Sequence, residues 1–262
     1  MTASNPPKPA NRRKPSKLPK AAYRIRAGTR ELIMETSIRL FNRSGVQNVS
    51  FEHIAHAMGA SPGTLTYHFR RKDDLMHALL GSLEERMREV LAPPRLKGEP
   101  EYGGIYLRNI LRAFWDFRFF FNALTYLLSK NPKLRNKYFA FHAWAIDTVI
   151  DDYAQMVNAG HFGLPRAPNN TRLVALNMWN QWLSWLRMQQ IESPHATMPD
   201  GEAFYACALL HWSIMEPYFS ADFAKGLLPV YEQLFLNAKS AKKKVRPSLG
   251  PVPITLKSST ES

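Results

Sequence analysis

Residues 29–75 read TRELIMETSIRLFNRSGVQNVSFEHIAHAMGASPGTLTYHFRRKDDL, and the punctuation of this stretch decides the fold. Ile33, Thr36, Leu40 and Phe41 recur at helical spacing, with Thr29 placed as an N-cap and Gly45 as a terminator. A second helix is signalled by Val49-Ser50-Phe51-Glu52-His53-Ile54. Ser50 can accept a hydrogen bond from a free amide of the first turn, and Val49 and Ile54 have the spacing of a hydrophobic staple. Gly59 ends that helix after Met58. Ser61-Pro62 then opens a third, because proline at the first helical position loses no hydrogen bond. Leu65 and Phe69 give it an inner face. A fourth helix carries Met76, Leu79, Leu80, Leu83, Met87 and Val90 until Pro93-Pro94 stops it.

Two short helices within residues 50–69, joined by Met58-Gly59-Ala60, have the size of a helix-turn-helix. The outward residues of the second would be Gly63, Thr64, Thr66, Tyr67 and His68. Each suits a duplex: Gly63 lets the backbone approach phosphate, the two threonines can bond a base edge or phosphate, and Tyr67 and His68 can donate to phosphate oxygens. Lys72 adds a positive charge at the start of the next helix. Short helix pairs also occur as plain structure, so the pattern alone leaves both readings open.

The same 29–75 string resembles the DNA-binding domain of the TetR family (TetR/AcrR type) over nearly its full length. Leu40-Phe41, Gly45, Ile54-Ala55, Gly59, Ser61, Gly63-Thr64-Leu65, Tyr67-His68-Phe69, Lys72 and Leu75 carry the match. The resemblance implies that Ser50, Thr64, Tyr67, His68 and Lys72 occupy operator-contacting or phosphate-contacting positions, with Thr29, Ser61, Gly63 and Thr66 completing the interface. Thr66 departs from the family pattern, which most often has an aromatic there. It further implies an all-α protein that binds double-stranded operator DNA as a homodimer and releases it when a small molecule enters a C-terminal domain, with repression the usual outcome.

Charge points the same way once it is located. Residues 1–30 hold nine Lys or Arg and no acid, residues 239–262 hold six against one acid, and the middle carries 20 of each sign, so the excess of +14 sits in two tails. Basic tails on a neutral body suit a polyanion partner, though they also serve as plain solubilising segments. Arg12, Arg13 and Lys14, with Lys17 and Lys20, could reach a minor groove. The expected organisation is a basic arm over 1–26 whose composition cannot order itself, a helix-turn-helix domain over 27–92, a connector, an effector-binding and dimerisation domain over 104–238, and a basic tail over 239–262.

Beyond the connector, helical patterns cover about 105–129, 132–158, 170–190, 200–218 and 221–238, separated by breakers. The 170–190 and 200–218 segments are the candidates for a dimer interface, through Leu173, Leu176, Trp179, Leu183, Leu186, Phe204, Cys207, Leu210, His211, Ile214 and Met215; plain core is the alternative. Phe114, Trp115, Phe117, Phe121, Tyr126, Phe139, His142, Trp144 and Trp182 are candidates for an apolar effector pocket, or equally for core.

Other signals carry less. Gly59-Ala60-Ser61-Pro62-Gly63 fits the G-x-S-x-G pattern of a nucleophilic serine, but a helix precedes it and Ser61 serves as a cap. His53 and His56 have metal-ligand spacing without further ligands, and Asp151-Asp152 reads as a solvated helix face. No phosphate-binding or dinucleotide motif occurs, and no cofactor is expected. A lone cysteine, Cys207, an N-terminus without an apolar leader and the lack of 18 consecutive apolar residues predict a cytoplasmic chain with no membrane span. Two rival classes stand beside the regulator: an architectural DNA-binding protein needing no effector, and a helical enzyme acting on a lipid-like substrate.

Overall fold

Caps and breakers place most helix ends where local chemistry requires them. The structure, a computed structural model, describes residues 28–91, 100–194, 196 and 198–240. The basic arm with Arg12, Arg13 and Lys14, the Pro93-Pro94 stop and the tail beyond 240 lie outside the described residues. The helices are α1 (Thr29–Ser44), α2 (Phe51–Met58), α3 (Pro62–His68), α4 (Lys72–Val90), α5 (Pro100–Asp116), α6 (Arg118–Asn122), α7 (Leu124–Lys130), α8 (Pro132–Asn158), α9 (Thr171–Glu192), α10 (Gly201–Met215) and α11 (Ala221–Ser240), with a 3₁₀ turn over Glu216–Tyr218. A single antiparallel β-bridge, Phe162 with Phe219, is the extended pairing among the described residues. The protein is all-α.

The first four helices close around Ile33, Phe41, Ile54, Leu65, Leu75 and Leu79, each 0–1% exposed. Burying side chains of this size contributes roughly 1.5–3 kcal/mol apiece before the entropy of ordering is set against it. Gly59 ends α2 at φ 64°, a left-handed geometry that glycine adopts without a Cβ penalty, and so turns the chain into α3. Val49 and Ile54 are both buried, as staple partners should be. The expected cap of α1 is shifted: Gly28 is the N-cap, and Thr29 already lies in the first turn.

Three boundaries in the C-terminal half differ from the sequence reading. The connector over 95–104 is partly helical, since α5 begins at Pro100, so the 104–238 domain boundary cuts through a helix. The single helix expected over 105–129 is three helices, broken at Phe117 and Ala123. No glycine or proline marks these breaks. At the first, Asn42 of α1 supplies what the interrupted ladder lacks: its Nδ2 donates to the Asp116 carbonyl at 2.7 Å, and its Oδ1 accepts from the Phe119 amide at 3.0 Å. Finally, α10 stops at Met215 before the 3₁₀ turn, and α11 continues to Ser240, two residues past the expected end of the domain.

The long C-terminal helices surround α5, which packs against α4, α9, α10 and α11. Gly104 allows the approach of α11, because a Cβ there would stand 2.5 Å from Val230 Cγ1 and 2.8 Å from Leu234 Cδ1. Asn131, Asn170 and Asp200 cap α8, α9 and α10 by accepting from Leu134, Leu173 and Ala203 amides at 2.8–2.9 Å. None of the described helices is long and apolar enough to cross a membrane.

Candidate nucleic-acid interface and an interhelical cavity

Pro62 starts α3 and Leu65 anchors it, fully buried, leaving the opposite face in solvent. Tyr67 is 85% exposed, the most exposed large hydrophobic side chain among the described residues, with its ring edge-on to His68 at 5.2 Å. Gly63 and Thr66 are also exposed, while Thr64 and His68 are half-buried. Thr66 Oγ1 donates to the Gly63 carbonyl at 3.1 Å, turning its hydroxyl back along the helix and leaving the methyl free. Ser61 is the N-cap by position but bonds no helix amide; its Oγ lies 3.2 Å from Thr64 Oγ1, so these two hydroxyls orient each other.

Ser50 caps α2 in a reciprocal box: its Oγ accepts from the His53 amide at 3.4 Å, and its own amide donates to His53 Nδ1 at 3.2 Å. Thr29 stands exposed in the first turn of α1. Lys72 has a second task that its sequence position does not reveal. Its ammonium donates to the Val46 carbonyl and, at 2.8 Å, to the Val49 carbonyl, and lies over the Phe41 ring. Two of three N–H donors therefore brace the loop between α1 and α2, and burial holds the pKa below the usual lysine value.

A cavity of about 50 Å³ lies between α5, α8, α9, α10 and α11. Gly103, Tyr106, Leu107 and Ile110 of α5 form one wall; Val149, Tyr153, Met156, Trp182, His211, Met215, Phe219, Phe223, Leu227 and Tyr231 form the rest. Of the aromatics singled out in the sequence, Trp182 lines it. Phe114, Trp115, Phe117 and Phe121 are packed core instead, Phe114 stacking on Phe121 at 4.7 Å and meeting Trp179 edge-on at 5.1 Å. His142 lies edge-on to Trp179 at 4.8 Å, Trp144 carries the Arg88 guanidinium 4.2 Å above its ring, and Phe139 is 57% exposed. Tyr126 lines a separate open groove against α1. Periodicity distinguishes buried from exposed faces but not core from cavity wall, so Tyr106, Tyr153 and Tyr231 went unmarked.

The expectation of a solvated Asp151-Asp152 face holds for Asp151 and fails for Asp152. Asp152 is 2% exposed and accepts from the Tyr106 hydroxyl at 2.7 Å, directly behind the cavity wall. Trp182 Nε1 and His211 Nδ1 are enclosed and make no hydrogen bond to the described residues. Their rings stack at 6.0 Å and 4°. Burial pushes the His211 imidazole down to about 3 and the Cys207 thiol up to about 12.

His211 therefore stays neutral in the folded protein at pH values where an exposed histidine is charged. Between the two pKa values the unfolded chain binds a proton that the native state refuses, so stability is full above about pH 6.5 and declines as pH falls toward 3. Unfolding free energies from urea titration at pH 7 and pH 5 should differ by about 1–2 kcal/mol, discounted for a ring that is partly accessible, and His211→Phe should flatten that difference. An unchanged slope in the variant would assign the pH dependence elsewhere.

Comparison with known proteins agrees with this geometry. Residues 33–79 match the bacterial regulatory proteins of the tetR family, and residues 82–227 match the TetR bacterial transcriptional repressor domain. The HTH-type transcriptional regulator AcrR of Shigella flexneri is 34% identical over 62 residues, 24% of this chain and 29% of that protein. TtgR of Pseudomonas putida, also an HTH-type transcriptional regulator, is 30% identical over 86 residues, 33% of this chain and 41% of that protein. These matches span less than half the length of the curated relatives. A solved TetR-family regulator from Marinobacter aquaeolei VT8 superposes with a TM-score of 0.69 at 26% identity, covering 79% of this chain and 98% of that one. These relatives are transcriptional regulators. With a helix-turn-helix whose recognition face is open and two domain matches that together span most of the described helices, the chain belongs to the tetR family of DNA-binding transcriptional regulators.

Proposed function

We propose that the protein is a ligand-responsive repressor that grips a near-palindromic operator as a homodimer and lets go when a hydrophobic effector enters the cavity. The observation that carries the reading is the path of α5. Its Tyr106, Leu107 and Ile110 line the cavity, and the Asp116 carbonyl at its far end is held by Asn42 of α1. A ligand of ordinary size needs roughly 300–1,000 Å³. A cavity of about 50 Å³ admits one only by displacing its walls. Displacement of α5 is transmitted to α1, and with it to the recognition helix, in proportion to the ligand's preference for the displaced state.

Dimerisation rests on the outer faces of α9 and α10. Leu173, Met188 and Ile191 are 45–70% exposed along α9, with Leu176 and Leu183 half-buried between them, and Leu209 and Leu210 are 38–41% exposed on α10. The candidates Trp179, Leu186, Phe204, Cys207 and Met215 point into the monomer core instead. Two copies joined through this face would present recognition helices to successive major grooves about 34–36 Å apart.

The test is fluorescence anisotropy with DNA from upstream of the protein's own gene against scrambled DNA, at about 0.15 M salt where non-specific binding is weak. Selective binding at two protomers per site is expected. Joint replacement of Leu173 and Leu210 by Asp should give monomers in sedimentation and a loss of operator affinity of about 100-fold or more, since each half-site is then bound alone. A variant that stays dimeric removes this face as the interface. Equal binding to both DNAs would favour an architectural role driven by the basic arms.

A further inference from the structure

The cavity also specifies the chemistry of what enters it. Its lining carries no Lys, Arg, Asp or Glu. Asp152 lies behind Tyr106, whose hydroxyl proton it already takes. The Tyr153 hydroxyl is likewise engaged, donating to the Met215 sulfur at 3.6 Å. Trp182 differs from both. It is 4% exposed, its indole nitrogen is a donor only, and that donor has no acceptor among the described residues. Buried tryptophans ordinarily find a partner, and an enclosed unmatched donor destabilises the fold unless a ligand completes it. Beside it, the neutral His211 presents an unbonded Nδ1, able to donate or accept according to tautomer. The remaining walls are flat rings and aliphatic side chains.

We propose that the cavity binds an uncharged, ring-containing hydrophobe bearing a hydrogen-bond acceptor such as a carbonyl, which takes the Trp182 indole N–H while the rings of Tyr106, Tyr153 and Tyr231 enclose its apolar body. This assignment rests on the effector-responsive reading above and adds the ligand's class to it. An anion meets no cation in this lining, and a cation finds the nearby carboxylate already screened by the Tyr106 hydroxyl. A plain hydrocarbon leaves the indole donor unmatched. The ligand is thus selected by a few polar contacts, the Trp182 donor foremost with His211 beside it, in a mostly apolar site, an arrangement in which the analogue lacking the polar atom is penalised.

Four probes on one bicyclic skeleton separate these cases: 1-tetralone, tetralin, 1-aminotetralin and tetralin-1-carboxylate, each titrated calorimetrically into the full-length protein at pH 7. The ketone should bind about tenfold tighter than the hydrocarbon and tighter than both ions. Trp182→Phe keeps an aromatic wall without the donor, so it should erase the preference for the ketone and leave tetralin within about twofold. Because that variant removes a buried ring, the unaltered protein provides a second readout: the Trp182 indole proton resonance should shift with 1-tetralone and not with tetralin. Equal affinity for ketone and hydrocarbon, preference for either ion, or no binding of any probe would overturn the assignment. Operator binding measured on the same preparation keeps the two readings apart. Operator selectivity without a preference for the ketone removes the ligand class alone, and a ketone preference without operator selectivity removes the repressor reading alone.

Discussion

Tyr67→Ala is expected to weaken DNA binding by about 30- to 150-fold while leaving the unfolding midpoint unchanged. The side chain is 85% exposed with its ring edge-on to the neighbouring His68, so truncation opens no buried cavity. Surface changes of this kind stay within about 0.5 kcal/mol of the parent. On DNA the loss is counted twice, because a two-fold dimer presents two copies. A hydrogen bond to a phosphate contributes about 1–1.5 kcal/mol net, so the pair accounts for about 2–3 kcal/mol. Phosphate contacts carry no sequence information, and binding to scrambled DNA should fall alongside operator binding. Thr64→Ala separates the two readings of that hydroxyl: if it meets a base edge, its loss from each half-site relaxes sequence preference more than it lowers non-specific affinity, and if it meets a phosphate, both fall together. Anisotropy on both DNAs with each variant reads this contrast. If Tyr67→Ala binds as tightly as the parent, α3 does not face the duplex through this side chain.

The second large effect is expected at Asn42. Its amide joins α1 to the α5–α6 break, donating to one backbone group and accepting from another. Asn42→Leu leaves the Phe119 amide and the Asp116 carbonyl without these partners, which costs about 1–3 kcal/mol of stability and loosens the junction. Operator affinity without ligand should change by only a few fold, because the core of α1 to α4 and the outer face of α3 are untouched. Effector-driven release should suffer far more. Coupling between two sites is typically about 1–3 kcal/mol, equivalent to a 5- to 150-fold change in operator affinity, and a junction that no longer transmits α5 displacement should bring that factor close to one. Titrating the operator complex with 1-tetralone, parent against variant, measures it. Undiminished release in a variant shown to be folded would place the coupling on another contact, such as α4 against α5 or α8.

Asn42 also shows where sequence reading ends. The helix-turn-helix was legible because its determinants are local: Ser50 reaches an amide three residues on, Val49 meets Ile54, and Gly59 adopts a backbone angle that other residues avoid. Tyr67 on the open face followed from Leu65 and Phe69 on the closed one, by helical period alone. The cap residues Asn131, Asn170 and Asp200 work over the same short range, and the helices they start began within a residue or two of expectation.

What only the tertiary structure decided is a matter of partners distant in the chain. The break at Phe117 is stabilised by a side chain 77 residues away, Asp152 is buried because Tyr106 meets it from 46 residues away, and Lys72 turns to carbonyls 23 and 26 residues earlier. The cavity draws its walls from five helices, each of which buries an apolar face whether that face meets a neighbour or a void. The sequence by itself determined the helix-turn-helix, most of the later helices, their order and which face of α3 stays open, since hydrogen-bonded caps, backbone preferences and hydrophobic period act within a few residues. Which aromatic rings became core and which became the wall of the cavity was settled by long-range packing, because that distinction depends on how closely separate helices approach one another.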